Sequence, residues 1–540
     1  MQFNSLYFLI FFLPVTLAGY YLMGRERNVR ERGGADCIGR DGAKDTPSSS
    51  MSSLRADWFL IAASLVFYGM ANVWYPVMLA VLILVNWFIA GKAAPAGRKR
   101  IMPQMPAGAG ENSPKENDAE SAEKVQRSER TRKRWMILGV VFNAGVLGVF
   151  KYTNFFLENL NAVLQTDLAM VNLLLPLGIS FIIFSQISWI VDCYRGSFDE
   201  TVCFREYVLY SVFFPKITQG PITTMRDFLP QIRKKVRLLF DSEGMVIGIQ
   251  MFSCGLFKKV VLADPLGNAV TTYYSNFSYR SNIDSLIVML AYTFQIYMDF
   301  SGYSDMALGV ARMLGFELPA NFDSPYRAGS ITDFWRRWHI SLSTFLREYI
   351  YFPLGGSRKG KLRTYCNIMI VFLVSGIWHG ANWTFILWGA LHGLAQVIER
   401  FLGKLYQKVW LPIRWAITFY ITSMLWMLFQ SSSYEEFQRF RWHLTVDRSG
   451  YYSGDLAKCF HIPGVKAVLG LLHLSAADTA AGWICTVLFL GGCMAMCLLL
   501  PNNQKRKYRI GAGSLIVTVG MLIVCLLSMS GVSSFIYNDF

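Results

Sequence analysis

Three of the six histidines, His339, His379 and His392, crowd into one stretch of an otherwise apolar chain. An imidazole can take a proton from a hydroxyl group near neutral pH, so base chemistry is sought first where histidines gather. His379 stands in Ser375-Gly376-Ile377-Trp378-His379-Gly380-Ala381-Asn382-Trp383. Its aromatic neighbours can wall an apolar pocket, and Gly380 lets a second chain or a ligand come close to the ring. A neutral His379 would then act as general base; the alternative is a hydrogen-bonded histidine packed between helices. His339 stands in Phe334-Trp335-Arg336-Arg337-Trp338-His339-Ile340-Ser341. Residues 331–349 interleave aromatic and basic types, as an interfacial helix anchored by Trp and snorkelling Arg does, although that reading leaves the histidine unexplained. His392, inside the apolar run after Asn382, reads as a packing residue. His443, His461 and His473 fall in a polar stretch and read as surface or interfacial.

A second polar cluster comprises Gln295, Tyr297, Asp299, Ser301, Tyr303, Ser304 and Asp305. Asp299 ends an apolar run and Gly302 permits a break. The carboxylate could cap a short helix over 305–314 or line a substrate path.

The elements that must position these residues are membrane helices. Of 540 residues, 53% are hydrophobic, 15% aromatic and 16% charged, against about 25% charged in soluble domains. A soluble enzyme, a secreted disulfide scaffold and a disordered chain are excluded, and an all-α integral membrane protein is expected as a single multi-pass unit over 1–540. The net charge of +16 would suggest nucleic acid in a soluble protein. Here the clusters Arg233–Arg237, Arg358–Arg363 and Lys505–Arg509 lie between apolar runs, as the positive-inside rule requires, so no nucleic-acid partner is expected. The ten cysteines show no C-x-x-C pair and no zinc-ligand spacing, so neither a metal nor a required disulfide is expected. Gly355-Gly356-Ser357-Arg358-Lys359-Gly360-Lys361 resembles a phosphate loop, but Leu362 stands where the metal-binding hydroxyl belongs, and it reads as a basic turn.

Phe3–Met23 reads as a retained membrane helix and not a signal peptide. Trp58–Ala71 and Tyr75–Ala90 read as a helical hairpin broken near Asn72. The polar segments 25–55 and 92–134 read as cytoplasmic loops, the second disordered or weakly helical. Further apolar runs reach Met529, for roughly eleven to thirteen crossings and half-crossings, with both termini extracytoplasmic. No internal repeat is visible, which weakens a transporter reading.

The stretch from Tyr292 to Trp383 resembles the membrane-bound O-acyltransferase family, especially its bacterial alginate O-acetylating branch. The likeness rests on Phe294-Gln295-Ile296-Tyr297-Met298-Asp299-Phe300-Ser301-Gly302-Tyr303-Ser304-Asp305, Asp333-Phe334-Trp335-Arg336-Arg337-Trp338-His339-Ile340-Ser341, Tyr351-Phe352-Pro353-Leu354-Gly355-Gly356 and Gly376-Ile377-Trp378-His379-Gly380-Ala381-Asn382-Trp383. Fainter echoes include Phe67-Tyr68-Gly69, Phe150-Lys151-Tyr152, Pro176-Leu177-Gly178 and Gly220-Pro221-Ile222.

The resemblance implies a ring of tilted and re-entrant helices around a central tunnel, with 292–400 as the catalytic core segment. It implies that His379 is the catalytic histidine and His339 the second active-site position, nearer the cytoplasm. Trp335, Arg336, Trp338, Trp378, Asn382, Gln295, Asp299 and Tyr303 become the substrate- and donor-binding candidates, with Arg336, Arg337 and Lys359 meeting donor phosphates. It implies acyl transfer from cytoplasmic acetyl-CoA, or an acyl carrier, across a bacterial inner membrane, with no bound cofactor. An extracytoplasmic SGNH-type acetyltransferase partner would relay the group to a polysaccharide. Segments 25–55 and 92–134 exceed what members usually carry, and Gln430 stands where relatives tend to have Arg. Rival readings are D-alanyl or longer acyl transfer from a carrier thioester, a transporter or flippase without chemistry, and a scaffold for a glycan synthase.

Overall fold

The computed structural model describes residues 1–25, 51–95, 116–198, 200–460, 477–502, 508–529 and 533–536. The greater part of segment 25–55, residues 96–115 of the other polar loop, Lys505 to Lys507, His461, His473 and the last four residues lie outside them. Every regular element among the described residues is helical. Among the described residues six helices are long and apolar enough to cross a membrane: Trp74–Ala93, Glu123–Leu164, Ser242–Ser275, Asn282–Met313, Leu411–Gln430 and Ala481–Leu499. Two shorter apolar helices, Phe8–Gly24 and Ala512–Ser528, accompany them. The chain is a multi-pass, all-α membrane protein.

The N-terminal helix α1 (Leu13–Gly24) is followed by the expected hairpin, α2 (Met51–Gly69) and α3 (Trp74–Ala93). Asn72 closes its turn by accepting a hydrogen bond from the Trp74 amide at 2.9 Å. Residues 116–134, expected in a disordered or weakly helical loop, are the beginning of the long helix α4 (Glu116–Leu164), whose charged first half runs into an apolar second half. The apolar run 171–191 is helical only from Ile179, where α5 (Ile179–Arg195) starts after Gly178 in the left-handed region. Three short helices follow: α6 (Phe204–Val212), α7 (Phe214–Ile217) and α8 (Met225–Arg233).

The central pair is α9 (Ser242–Phe257), which continues through a π-turn over Lys258–Ala263 into α10 (Asp264–Ser275), and α11 (Asn282–Met313). A Ser281–Asp284 capping box starts α11. Two glycine pairs let the antiparallel backbones touch: a Cβ on Gly255 would stand 2.5 Å from the Gly302 carbonyl oxygen, and one on Gly248 2.7 Å from that of Gly309. Small residues at such spacing are how membrane helices gain van der Waals contact without an aqueous driving force. Gly302 therefore serves packing; α11 passes through it unbroken, which corrects the expected break and the capped helix over 305–314.

After α11 come α12 (Ile331–Arg337), α13 (Ile340–Leu346), α14 (Lys361–His379) and α15 (Trp383–Leu402), then α16 (Lys404–Lys408), α17 (Leu411–Gln430), α18 (Tyr434–Thr445) and α19 (Gly454–Cys459). The single amphipathic helix expected over 331–349 is two short helices, broken at Trp338 and His339. Residues 352–359 form the expected basic turn. His443, expected at the surface, is buried against Phe277, with ring centroids 5.4 Å apart.

Candidate active site

His379 is the last residue of α14, and the final four carbonyls of any helix lack intrahelical donors. Two consecutive residues of α4 supply them from across the fold. Lys151 Nζ donates to the Trp378 carbonyl at 2.8 Å and to the His379 carbonyl at 2.6 Å, and Tyr152 Oη donates to that of Ile377. A cation at a helix C-terminus also meets the negative end of the helix dipole. Trp383 Nε1 donates to Asn159 Oδ1 at 2.9 Å and ties the following turn to the same helix.

The α14–α15 turn is tight because its glycines leave no room for anything else. A Cβ on Gly376 would lie 2.4 Å from the Phe385 carbonyl oxygen, and one on Gly389 would lie 2.4 Å from that of Phe372. The space beside Gly380, expected to admit a ligand, is filled by the Phe385 ring: a Cβ there would sit 2.0 Å from it. Asn382 caps α15 by accepting from the Thr384 amide at 3.0 Å, and it donates to the Ser432 carbonyl at 2.7 Å. Its role in the fold is to shape the turn.

The His379 ring is 4% exposed. It stands edge-on to Trp378, Trp388 and Phe429, at centroid distances of 4.8, 5.1 and 5.3 Å. His339, fully buried, also stands edge-on to Trp378, at 6.2 Å between ring centroids. Its backbone is left-handed, with φ 44°, a conformation that non-glycine residues hold only when their surroundings enforce it. Residues 321–323 provide that enforcement. The Ile340 amide donates to the Asn321 carbonyl and the Asp323 amide to the Arg337 carbonyl, each at 2.9 Å. Asn321 Oδ1 also meets His339 Nδ1 at 3.1 Å and accepts from Ser341 Oγ at 2.7 Å, while Ser341 Oγ accepts from the Ile222 amide at 3.0 Å. Asn321 Oδ1 can only accept, so His339 Nδ1 carries the proton and Nε2 the lone pair.

A cavity of about 80 Å³ adjoins His379, lined also by Lys151, Ser180, Phe181, Thr218, Trp378 and the 175–179 backbone. Its polar groups come from four separate parts of the chain, in an otherwise apolar surrounding.

The remaining candidates divide by position. Trp335 faces the interior and donates from Nε1 to His392 Nδ1 at 3.2 Å, so His392 is both packed and bonded. Trp338 is buried against Trp426, centroids 4.8 Å apart. Arg336 and Lys359 are exposed, whereas Arg337 is held by Asp333 at 3.0 Å. Gln295 packs under Gly267. Asp299 is neither a helix cap nor a residue of the His379 cavity. It receives Lys259 Nζ at 2.7 Å and the Ile536 amide at 2.9 Å. Tyr303 stacks on Phe3 and shares a hydrogen bond with Thr218, one contact away from the cavity. Lys151, Asn321 and Thr218 escaped the reading of the sequence as site residues. The signal for Lys151 was present, since an ionisable residue within an apolar run is a functional candidate by position alone.

This all-α membrane fold is the one the resemblance implies. Residues 179–434 match the model of the MBOAT, membrane-bound O-acyltransferase family. The chain is 34% identical over 466 residues to the peptidoglycan O-acetyltransferase of Helicobacter pylori, covering 81% of this chain and 78% of that protein. It is 35% identical over 439 residues to the probable alginate O-acetylase of Pseudomonas putida, covering 80% and 78%. A more distant likeness, 28% over 257 residues covering 45% and 64%, links it to the teichoic acid D-alanyltransferase of Bacillus subtilis. The chain belongs to the membrane-bound O-acyltransferase family. It is an O-acyltransferase, and the Helicobacter and Pseudomonas proteins, which it matches over most of its length, are both O-acetylating by name.

Proposed function

We propose that this enzyme moves an acetyl group from cytoplasmic acetyl-CoA through the membrane for O-acetylation of an extracytoplasmic polysaccharide, with His379 as general base. The observation that carries the reading is the burial of His379 at a capped helix end, beside a small, mainly apolar cavity that Lys151, Ser180 and Thr218 also line. An acceptor hydroxyl attacks the thioester carbonyl carbon while His379 takes its proton. The carbonyl oxygen receives the displaced electron pair, the tetrahedral adduct collapses, and the departing thiolate takes the proton back from His379. His339, whose Nε2 lone pair is set by Asn321 and which also adjoins Trp378, orients the donor or stabilises the developing oxyanion. Trp378 walls the cavity. Exposed Arg336 and Lys359 meet the phosphates of the soluble donor at the cytoplasmic face. No metal or prosthetic group takes part. The central tunnel, the inner-membrane location with both termini outside, and an SGNH-type partner that relays the acetyl group complete the proposal.

The test compares O-acetyl content of surface polysaccharide in cells carrying wild type or His379→Ala at equal membrane levels. Loss of a general base costs about 10²–10⁴-fold in rate, so acetylation is expected to fall to background. Wild-type acetylation by the variant would overturn the assignment and favour transport without chemistry. Similarity to teichoic acid D-alanyltransferases favours a second reading, transfer from a carrier-bound thioester. Competition by free CoA against a carrier thioester separates the two donors.

A further inference from the structure

We propose that Lys151 contributes directly to the reaction, by stabilising the negative charge that develops on the thioester carbonyl oxygen. The inference rests on the acyl-transfer reading above. An ammonium carries three N–H donors. Two of those on Lys151 are used by the carbonyls of Trp378 and His379, at 2.8 and 2.6 Å. These two bonds fix Nζ relative to the backbone of the proposed base, and Lys151 lines the same cavity as His379. The third donor is not used by these carbonyls, and Nζ is anchored at the helix end that carries His379, beside the cavity both residues line. When the hydroxyl oxygen bonds to the carbonyl carbon, the π pair moves onto the carbonyl oxygen, and the Lys151 N–H donates to it. When the C–S bond breaks, the pair returns and the hydrogen bond weakens. Donors fixed in advance toward such an oxygen, in a site with little water, supply the largest single term in many acyl transfers.

Among the described residues this lysine is bonded to two backbone carbonyls and to no carboxylate. By contrast, Lys258 and Lys259, in the π-turn, are each paired with an aspartate, Asp305 and Asp299. Carboxylate pairing suits a structural lysine, whereas attachment to the base-bearing helix end suits one that must keep a donor for a transient charge.

The experiment uses the full-length protein in liposomes with acetyl-CoA as the donor probe. Lys151→Gln, which keeps amide donors near the two carbonyls but has no charge, is expected to fold, to leave KM within about threefold and to lower kcat by about 10²–10³-fold, the cost of losing one oxyanion donor. In Lys151→Ala, added ethylammonium should recover part of kcat, while tetramethylammonium, which lacks an N–H, should not. Wild-type kcat in Lys151→Gln overturns the proposal, as does equal recovery by both ions, which would point to cavity filling. A drop in thermal stability with unchanged kcat would reduce Lys151 to a positioning residue. His379→Ala, run in parallel, separates the failures. Its retention of wild-type transfer would sink His379 as the base, whereas absence of acetyl transfer by the wild-type protein would sink the acyl-transfer reading itself. Inactivity of His379→Ala beside a fully active Lys151→Gln would sink only the role of Lys151.

Discussion

The His339 side chain is set by partners outside its own helices. His339 obtains its tautomer and its left-handed backbone from Asn321 and the chain around it. Asn321→Leu removes the acceptor shared by His339 Nδ1 and Ser341 Oγ, leaving buried donors unsatisfied at about 1–3 kcal/mol. A misplaced imidazole at a reacting centre costs about 10²-fold. Acetyl transfer by Asn321→Leu is therefore expected to fall by about that factor, with a modest loss of thermal stability in detergent. A wild-type rate in this variant would remove His339 orientation from the mechanism. The histidines themselves were legible in the sequence, because few titratable residues fall in these apolar segments. Asn321 was not: a neutral amide in a loop carries no mark until the fold brings it under an imidazole.

At the scale of elements, glycine sets the distances. The α9–α11 contact at Gly255/Gly302 and Gly248/Gly309 leaves no volume for a side chain. Gly255→Val would drive a branched side chain into the backbone of α11, where neither helix can yield without displacing the residues that carry Asp299 and Tyr303. Overpacking of this kind costs typically about 1–3 kcal/mol and more where backbone must move. Reduced yield and a lowered unfolding temperature are expected, while Gly91→Ala, on a face with nothing within 4 Å, should be silent. Equal stability of Gly255→Val and wild type would refute the contact. The apolar runs predicted that these helices exist, and the α2–α3 hairpin turns near Asn72 as expected, although α2 begins at Met51, inside the segment expected as a loop. Their interruptions were harder to read. Gly302 looked like a helix break because glycine lowers helix propensity, yet in α11 the close approach of α9 decided its use. Residues 331–349 looked continuous, because nothing in the local pattern demands a left-handed histidine.

Across the whole molecule, the two ends of the described chain meet at the central helices. Asn4 donates to the Ser533 carbonyl at 3.0 Å, and Ser533 Oγ donates to Asp264 at 2.8 Å. Phe535 packs edge-on against Tyr303 and under the Lys259 ammonium, while Asp299 receives both Lys259 and the Ile536 amide. Asp299 and Lys259 side chains are 2% and 3% exposed. Asp264 also reaches Lys259, at 3.0 Å, but is itself 25% exposed, so removing Asp299 takes away the buried partner of this ammonium, at a cost approaching that of a broken buried pair, about 3–5 kcal/mol. Asp299→Ala should accordingly lower the unfolding temperature sharply, and the double variant Asp299→Leu with Lys259→Met should recover much of it, since an apolar replacement of both partners is often tolerated. A double variant no more stable than Asp299→Ala would show that the pair does more than neutralise itself. Asp299 stood out in the sequence as an acid in an apolar run, but neither of the roles expected for it, a helix cap or the lining of a substrate path beside His379, is the one it has. Its partners lie on another helix and near the end of the chain, which no local pattern could supply.

The sequence by itself determined the class of structure, because hydrophobic run length and charge placement are local properties that the membrane reads directly. Its ordered motifs also pointed to the family and to His379. Only the tertiary structure decided which groups surround that histidine. Lys151 and His379 lie far apart in the chain and are joined through a helix end whose carbonyls need donors. His339 and Asn321, and Asp299 and Ile536, likewise meet only after the chain closes. Hydrogen bonds between buried groups are chosen by which partners packing brings within reach, and that choice belongs to the folded chain as a whole.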